Sequence, residues 1–205
     1  MASASSSRER FLSTTARLMR RRGYAATGLN EIVSRSGAPK GSLYFHFPGG
    51  KEQLAAEAME QAGAGLAVAI SAVLDGTPEF GTAVGVLIDA MAAGLEQSSF
   101  RDGCPIATVA LDAAAESEPV RSAVAAAFES WLGPIAARLE REGFAPAAAR
   151  RRALLILCSL EGALILARAA RDLAPLQAVR EELVALAVPD AEASSESAAV
   201  RPRSA

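Results

Sequence analysis

Apolar residues in this chain recur at helical spacing and nowhere alternate with a sustained period of two, which leaves little room for a sheet. The apolar fraction, 51%, is carried mainly by Ala and Leu, with few aromatic or β-branched residues. Ala and Leu lose little rotamer freedom in a helix. The expected fold class is therefore all-α. With 205 residues the chain has room for a small domain fused to a medium one.

Breaks divide this pattern into elements. Ser6 and Glu9 form a capping box ahead of Phe11 and Leu12. A first helix is predicted to about Arg22, with Phe11, Leu12, Thr15, Leu18 and Met19 on one face and Gly23 as its stop. A short second helix is expected over Leu29 to Ser36, with Leu29, Ile32 and Val33 inward. Gly37-Ala38-Pro39 reads as a tight turn, because Gly37 tolerates positive φ and Pro39 suits a helix start. A brief third helix runs from Lys40 to about Phe45, and Pro48-Gly49-Gly50 breaks the chain again. A long helix follows from Lys51 toward Leu74, ended by Asp75-Gly76-Thr77-Pro78. Further helices are expected near 79–97, 105–115, 118–142, 146–171 and 175–187. The predicted organisation is a head at 1–50, a helical body at 51–188 and a disordered polar tail at 189–205. Three short helices are too small to be stable alone, so the head should lean on the start of the fourth helix.

Charge separates head from body. Residues 1–51 hold nine basic and two acidic side chains, a net of +7. The remainder holds 12 basic and 21 acidic ones, a net of −9. A basic head on an acidic body suggests that one end meets phosphate, although a solvated charged face would look the same. No apolar run reads as long enough to cross a bilayer; the longest, Leu66 to Leu74, is interrupted by Ser71. The N-terminus lacks the apolar stretch of a secretory signal, so a cytoplasmic location is expected. Cys104 and Cys158 make no metal-ligand spacing, and a reducing compartment argues against pairing them. No metal or cofactor is implied.

The second helix, the Gly37 turn and the third helix have the layout of a DNA-binding helix-turn-helix. The second helix must brace the third, which presents small or polar groups to the major groove. Lys40, Gly41 and Ser42 at its start fit that need. Lys40 reaches guanine or phosphate, Ser42 bonds base edges or phosphate, and Gly41 lets the backbone approach. Tyr44 and His46 are placed for phosphate contacts, and Lys51 opens the fourth helix, whose N-terminus also attracts phosphate. Leu43, Phe45 and Phe47 read as packing residues. The bland alternative for Tyr44, and for His46, the one histidine in the chain, is also packing.

Residues 29–57 resemble the signature of the TetR family of repressors. The specific part is Gly-x-x-Lys-Gly-x-Leu-Tyr-x-His-Phe followed by Lys-Glu-x-Leu. It is met by Gly37, Lys40, Gly41, Leu43, Tyr44, His46, Phe47, Lys51, Glu52 and Leu54, and Gly23, Tyr24 and Thr27 also fit. The resemblance implies that Lys40, Gly41, Ser42, Tyr44, His46 and Lys51 face DNA. Many members carry Ser or Thr where this chain has Gly28, which provides no hydroxyl for phosphate; Thr27 is the remaining candidate for that contact. Phe47-Pro48-Gly49-Gly50-Lys51 and Gly103-Cys104-Pro105-Ile106-Ala107 resemble the LmrA/YxaF-type branch, associated with sensing drug-like or plant-derived aromatic compounds.

By the same resemblance the helices from Lys51 to about Glu142 build a ligand cavity. Its candidate lining is the bulky or soft side chains of an Ala-rich body: Met59, Met91, Phe100, Cys104, Phe128, Trp131 and Leu132. Taken singly, each such residue is more often core than pocket. Glu161, inside an apolar run, has three roles open to it: a ligand cation, a dimer contact or solvent. Cys104 lacks an activating base, so catalysis is not expected; a redox role is a secondary option. Leu154, Leu155, Leu157, Leu160, Leu164, Ile165, Leu173, Leu176, Val179, Leu183 and Leu186 exceed what one core face needs. The family pairs its last two long helices with a second subunit, here those near 146–171 and 175–187, which presents two recognition helices to a palindromic operator.

The resulting expectation is a repressor that a small hydrophobic effector releases from operator DNA. Ligand between helices four and seven would shift helix four and change the spacing of the recognition helices. The alternatives are an activator on the same fold and a helical small-molecule-binding protein without effector-released repression.

Overall fold

A computed structural model describes residues 6–113 and 115–185. Among the described residues it holds nine helices and no strand. They are α1 (Ser7–Arg22), α2 (Leu29–Ser36), α3 (Lys40–His46), α4 (Gly50–Gly76), α5 (Phe80–Gln97), α6 (Pro105–Ala113), α7 (Glu118–Arg141), α8 (Pro146–Ala170) and α9 (Ala174–Ala185). The predicted tail at 189–205, and Leu186, lie outside the described residues.

The caps form as the sequence implies. Ser6 accepts from the Glu9 amide at 3.2 Å while the Glu9 carboxylate accepts from the Ser6 amide at 2.7 Å. Two of the orphan donors at the start of α1 are thereby satisfied. Gly37 closes α2 in the left-handed region at φ 62°, which a residue with a Cβ enters only at a cost.

The core is continuous from head to body. Phe11, Met19, Ile32, Leu43 and Phe47 are fully buried with Leu54 and Met59 of α4. Phe11 and Phe47 meet edge to face at 6.2 Å. The first turns of α4 thus belong to the core of the head.

α4 packs most extensively against α7. They approach closely at Gly63, where an added Cβ would lie 2.5 Å from the Ala127 Cβ. There the Trp131 indole N–H donates to the Gly63 carbonyl at 2.9 Å. Both ends of α4 are also tied to α7. The Ser117 hydroxyl donates to Glu52 at 2.6 Å. At the far end the buried Arg138 donates to the carbonyls of Leu74, Thr77 and Pro78 and pairs with Glu142 at 2.7 Å. A guanidinium placed there satisfies the last carbonyls of α4 and meets the negative end of its dipole.

By length and composition α8 does qualify as a membrane-crossing helix, so the expectation that no segment does was too strong. Glu161 interrupts its apolar run without lowering the average enough to matter. Its apolar side chains divide between two faces. Ile156, Leu157, Leu160 and Leu164 are buried within the chain, as are Leu176 and Leu183 of α9. Leu154, Leu155, Ile165 and Leu166 are exposed, as is Val184 of α9.

Candidate nucleic-acid interface and ligand cavity

α3 is only seven residues long, so two inward anchors fix its rotation. Leu43 and the residue after the helix, Phe47, are an i, i+4 pair and both are buried. The opposite side is open. Lys40, Gly41, Tyr44 and Phe45 are exposed, Ser42 and His46 half-exposed. Tyr44 keeps 60% of its surface and Phe45 keeps 82%. Phe45 was expected to pack; instead it lies about 200° around the helix from Leu43, at 100° per residue, and points outward. Its ring meets the His46 ring in a T-shaped arrangement at 5.2 Å.

The polar groups of this face keep their capacity for an outside partner. The Ser42 hydroxyl donates to the Pro39 carbonyl at 2.7 Å, which leaves its lone pairs free to accept. Among the described residues Lys40 has no ion-pair partner. A Cβ at Gly41 would meet nothing within 4 Å, so no contact inside the protein requires glycine there. Lys51 holds its ammonium over the Tyr24 ring, 4.2 Å from the centroid, and partial burial lowers its pKa.

Thr27 is not on this face. It is fully buried, and its hydroxyl donates to the Gly23 carbonyl at 2.7 Å. It closes the α1–α2 turn, so the suggestion that it replaces a missing phosphate contact at Gly28 fails. Gly28 caps α2 with no side-chain hydrogen bond.

The body contains a cavity of about 290 Å³ between α4, α5, α7 and α8, floored by the α5–α6 connection. Met91, Cys104 and Trp131 line it. The other candidates lie elsewhere. Met59 and Leu132 are buried core, Phe128 packs edge-on against Trp131 at 5.4 Å, and Phe100 sits half-buried in the α5–α6 connection. Bulk alone marked them, and bulk does not distinguish a filled space from an empty one. The sequence reading missed Leu66, Val86 and Leu87, small aliphatic members of the wall. Leu66, Ala69, Val86 and Ala90 are exposed, so the cavity opens between α4 and α5.

Glu161 also lines the cavity, which decides among its three roles against solvent. Burial pushes its carboxyl above the usual carboxylate range. Burial and the neighbouring Glu161 push the Cys104 thiol up as well, which keeps it protonated and a poor nucleophile.

The cavity floor is joined to the head. The Arg20 guanidinium donates to the Gly103 carbonyl at 3.0 Å, and the Gly103 amide donates back to the Arg20 carbonyl at 3.3 Å. Arg20 and Gly103 both edge the cavity. Beside them Arg21 pairs with Asp102 at 3.4 Å, and Arg168 of α8 donates to the Arg21 carbonyl at 2.9 Å. The connection carries two successive left-handed residues, Ser99 (φ 53°) and Phe100 (φ 57°). Such non-glycine conformations persist only where their surroundings enforce them.

Residues 11–58 match the family described as bacterial regulatory proteins, tetR family. Residues 81–182 match the C-terminal domain of LmrA/YxaF-like transcriptional regulators. The HTH-type transcriptional regulator YxaF of Bacillus subtilis is 37% identical over 186 residues, covering 91% of this chain and 97% of that protein. LmrA of the same organism is 32% identical over 170 residues, covering 83% and 90%. An HTH-type regulator of Mycobacterium tuberculosis is 39% identical over 181 residues, covering 86% and 91%. Among solved structures, a TetR regulator from Legionella pneumophila superposes with a TM-score of 0.80 at 22% identity, covering 92% of this chain and 100% of that one. One from Chloroflexus aurantiacus gives 0.71 at 28% identity, covering 87% and 92%.

Proposed function

The chain belongs to the TetR family of bacterial regulatory proteins and is a DNA-binding transcriptional regulator; from that premise we propose that it is a repressor whose hold on operator DNA a small apolar ligand releases. The observation that carries the DNA part is the open face of α3. Large aromatic groups on a seven-residue helix are left uncovered, beside a glycine that no internal contact requires. A helix glycine costs about 1 kcal/mol relative to alanine, and a close approach from outside gives it a purpose. Lys40, Gly41, Ser42, Tyr44, His46 and Lys51 are the proposed DNA-facing set. Phe45 joins them as an apolar contact for a thymine methyl group.

Regulators of this family typically dimerise. The exposed stripe of α8 and α9 is the proposed interface, and two copies of α3 would then meet successive major grooves in the cytoplasm. The cavity is the proposed effector site. Because its floor is hydrogen-bonded to α1, a ligand acts on the head through Gly103 as well as through α4. It must bind the DNA-incompetent arrangement more tightly than the other.

Fluorescence anisotropy with the DNA flanking the gene, against a scrambled duplex across a salt series, tests this reading. The flanking DNA should bind tightly, with log affinity falling by roughly 0.9 per phosphate contact for each decade of salt. Gly41→Ala should leave the melting temperature unchanged or raised while weakening operator binding at least ~10-fold. Equal affinity for both duplexes with a flat salt response would overturn the proposal.

A further inference from the structure

One group in the cavity wall is out of keeping with an apolar ligand. Glu161 of α8 lines the cavity together with Leu157, Leu160, Leu164 and Trp131. Its Oε2 is buried and, among the described residues, has no hydrogen-bond partner. Buried polar atoms without partners are rare in folded proteins, and each calls for an explanation. The other charged groups facing the cavity are already engaged. Arg20 is held on the Gly103 carbonyl at 3.0 Å, and Asp102 pairs with Arg21 at 3.4 Å. Among the described residues no cation lies within ion-pair distance of Glu161. The Cys104 thiol beside it is a weak partner.

Resting on the reading of this cavity as the effector site, we propose that the effector is a lipophilic amine, its apolar body between α4, α5 and α7 and its protonated nitrogen on the Glu161 carboxylate. The chemistry favours a cation over the other hydrogen-bonding classes. An ammonium supplies both the missing donor and the charge that a buried carboxylate lacks, and such charge-assisted bonds are about twice as strong as neutral ones. A hydroxyl supplies the donor alone. An anionic ligand would set like charges together in a dry wall. The position also explains a response. Glu161 lies against Cys104, and Cys104 follows Gly103, whose two hydrogen bonds hold α1. A nitrogen seated on Glu161 therefore touches the segment on which the head is hung.

Phenylbutylamine, phenylbutanol and phenylbutyrate share one apolar body and differ in the terminal group. Trp131 is the sole tryptophan and lines the cavity, so its fluorescence reports occupancy. In the purified protein the amine should bind at least ~10-fold tighter than the alcohol, with the acid weakest; a 10-fold preference is a difference of about 1.4 kcal/mol. Glu161→Gln should keep alcohol binding and lose the preference for the amine. Equal affinity for amine and alcohol in the unmodified protein, a preference that survives Glu161→Gln, or no binding by any of the three would overturn the proposal. Operator anisotropy run alongside separates the two readings. Amine binding that leaves operator affinity unchanged would sink ligand-released repression while leaving the amine site in place.

Discussion

Glu161 carries a penalty in the folded protein, and its sign sets a pH test. Burial raises its folded pKa, so the folded state holds this proton to higher pH than the unfolded chain does. Stability falls as pH rises from the ordinary carboxylate value through the raised one, and above both the full penalty is present. Glu161→Gln should therefore melt a few degrees higher at neutral pH, and the gap should close below about pH 4. Melting curves followed by circular dichroism across pH check this; a constant gap, or a lower melting temperature, would contradict it. Phe45→Ala should leave the melting temperature unchanged, because the ring is exposed, and weaken operator binding. At this scale the sequence was readable wherever a local pattern governs. The motif from Gly37 to Phe47 placed Leu43 and Phe47 inward correctly. Phe45 was misread because apolar character was taken for burial on a helix with room for only two inward anchors. Thr27 was misread because its hydroxyl is spent four residues back.

Helix boundaries among the described residues were legible to within one or two residues, because caps, Gly and Pro are local signals. The 118–142 expectation against Glu118–Arg141 is typical. What holds α4 in place was not legible. The carbonyl partners of Arg138 lie 60 to 64 residues earlier in the chain, and no periodicity announces them. Arg138→Met should leave several carbonyls at the end of α4 without a donor, a loss of about 2–5 kcal/mol. Urea unfolding measures it, with Arg138→Lys expected to recover part. A second dependence lies at Gly63, where α4 and α7 nearly touch. Gly63→Ala should destabilise the fold although alanine is the better helix former, because the new methyl group would overlap Ala127. A stability equal to the parent's would show that the two helices can part without loss.

For the molecule as a whole, the division of charge between head and body was plain from the sequence, since it needs only counting. The cavity was not. Its shape depends on how far four helices stand apart, and Ala-rich helices with small aliphatic walls give no residue that advertises a void. The surplus of apolar side chains on α8 and α9 was visible, but which of them stay within the chain became clear only from packing. Ile165 and Leu166 keep 51% and 61% of their surface in the single chain. If the exposed stripe of α8 and α9 is the dimer interface as proposed, Leu154→Glu combined with Ile165→Glu should yield a folded monomer by light scattering and remove tight operator binding, since one head would grip only half a site. A variant that stays dimeric would place the interface elsewhere.

Arg20 and Gly103 belong at once to the wall of the cavity and to the end of α1, so anything that strains their paired hydrogen bonds from one side is felt on the other. Linkage makes such an effect mutual: the factor by which a compound loosens the operator is the factor by which the operator loosens the compound. If a compound releases this protein from its operator as proposed, a promoter that grips the protein harder therefore demands a higher dose before it opens. Several promoters of graded strength under this one regulator would switch on in order as the compound accumulates, weakest first.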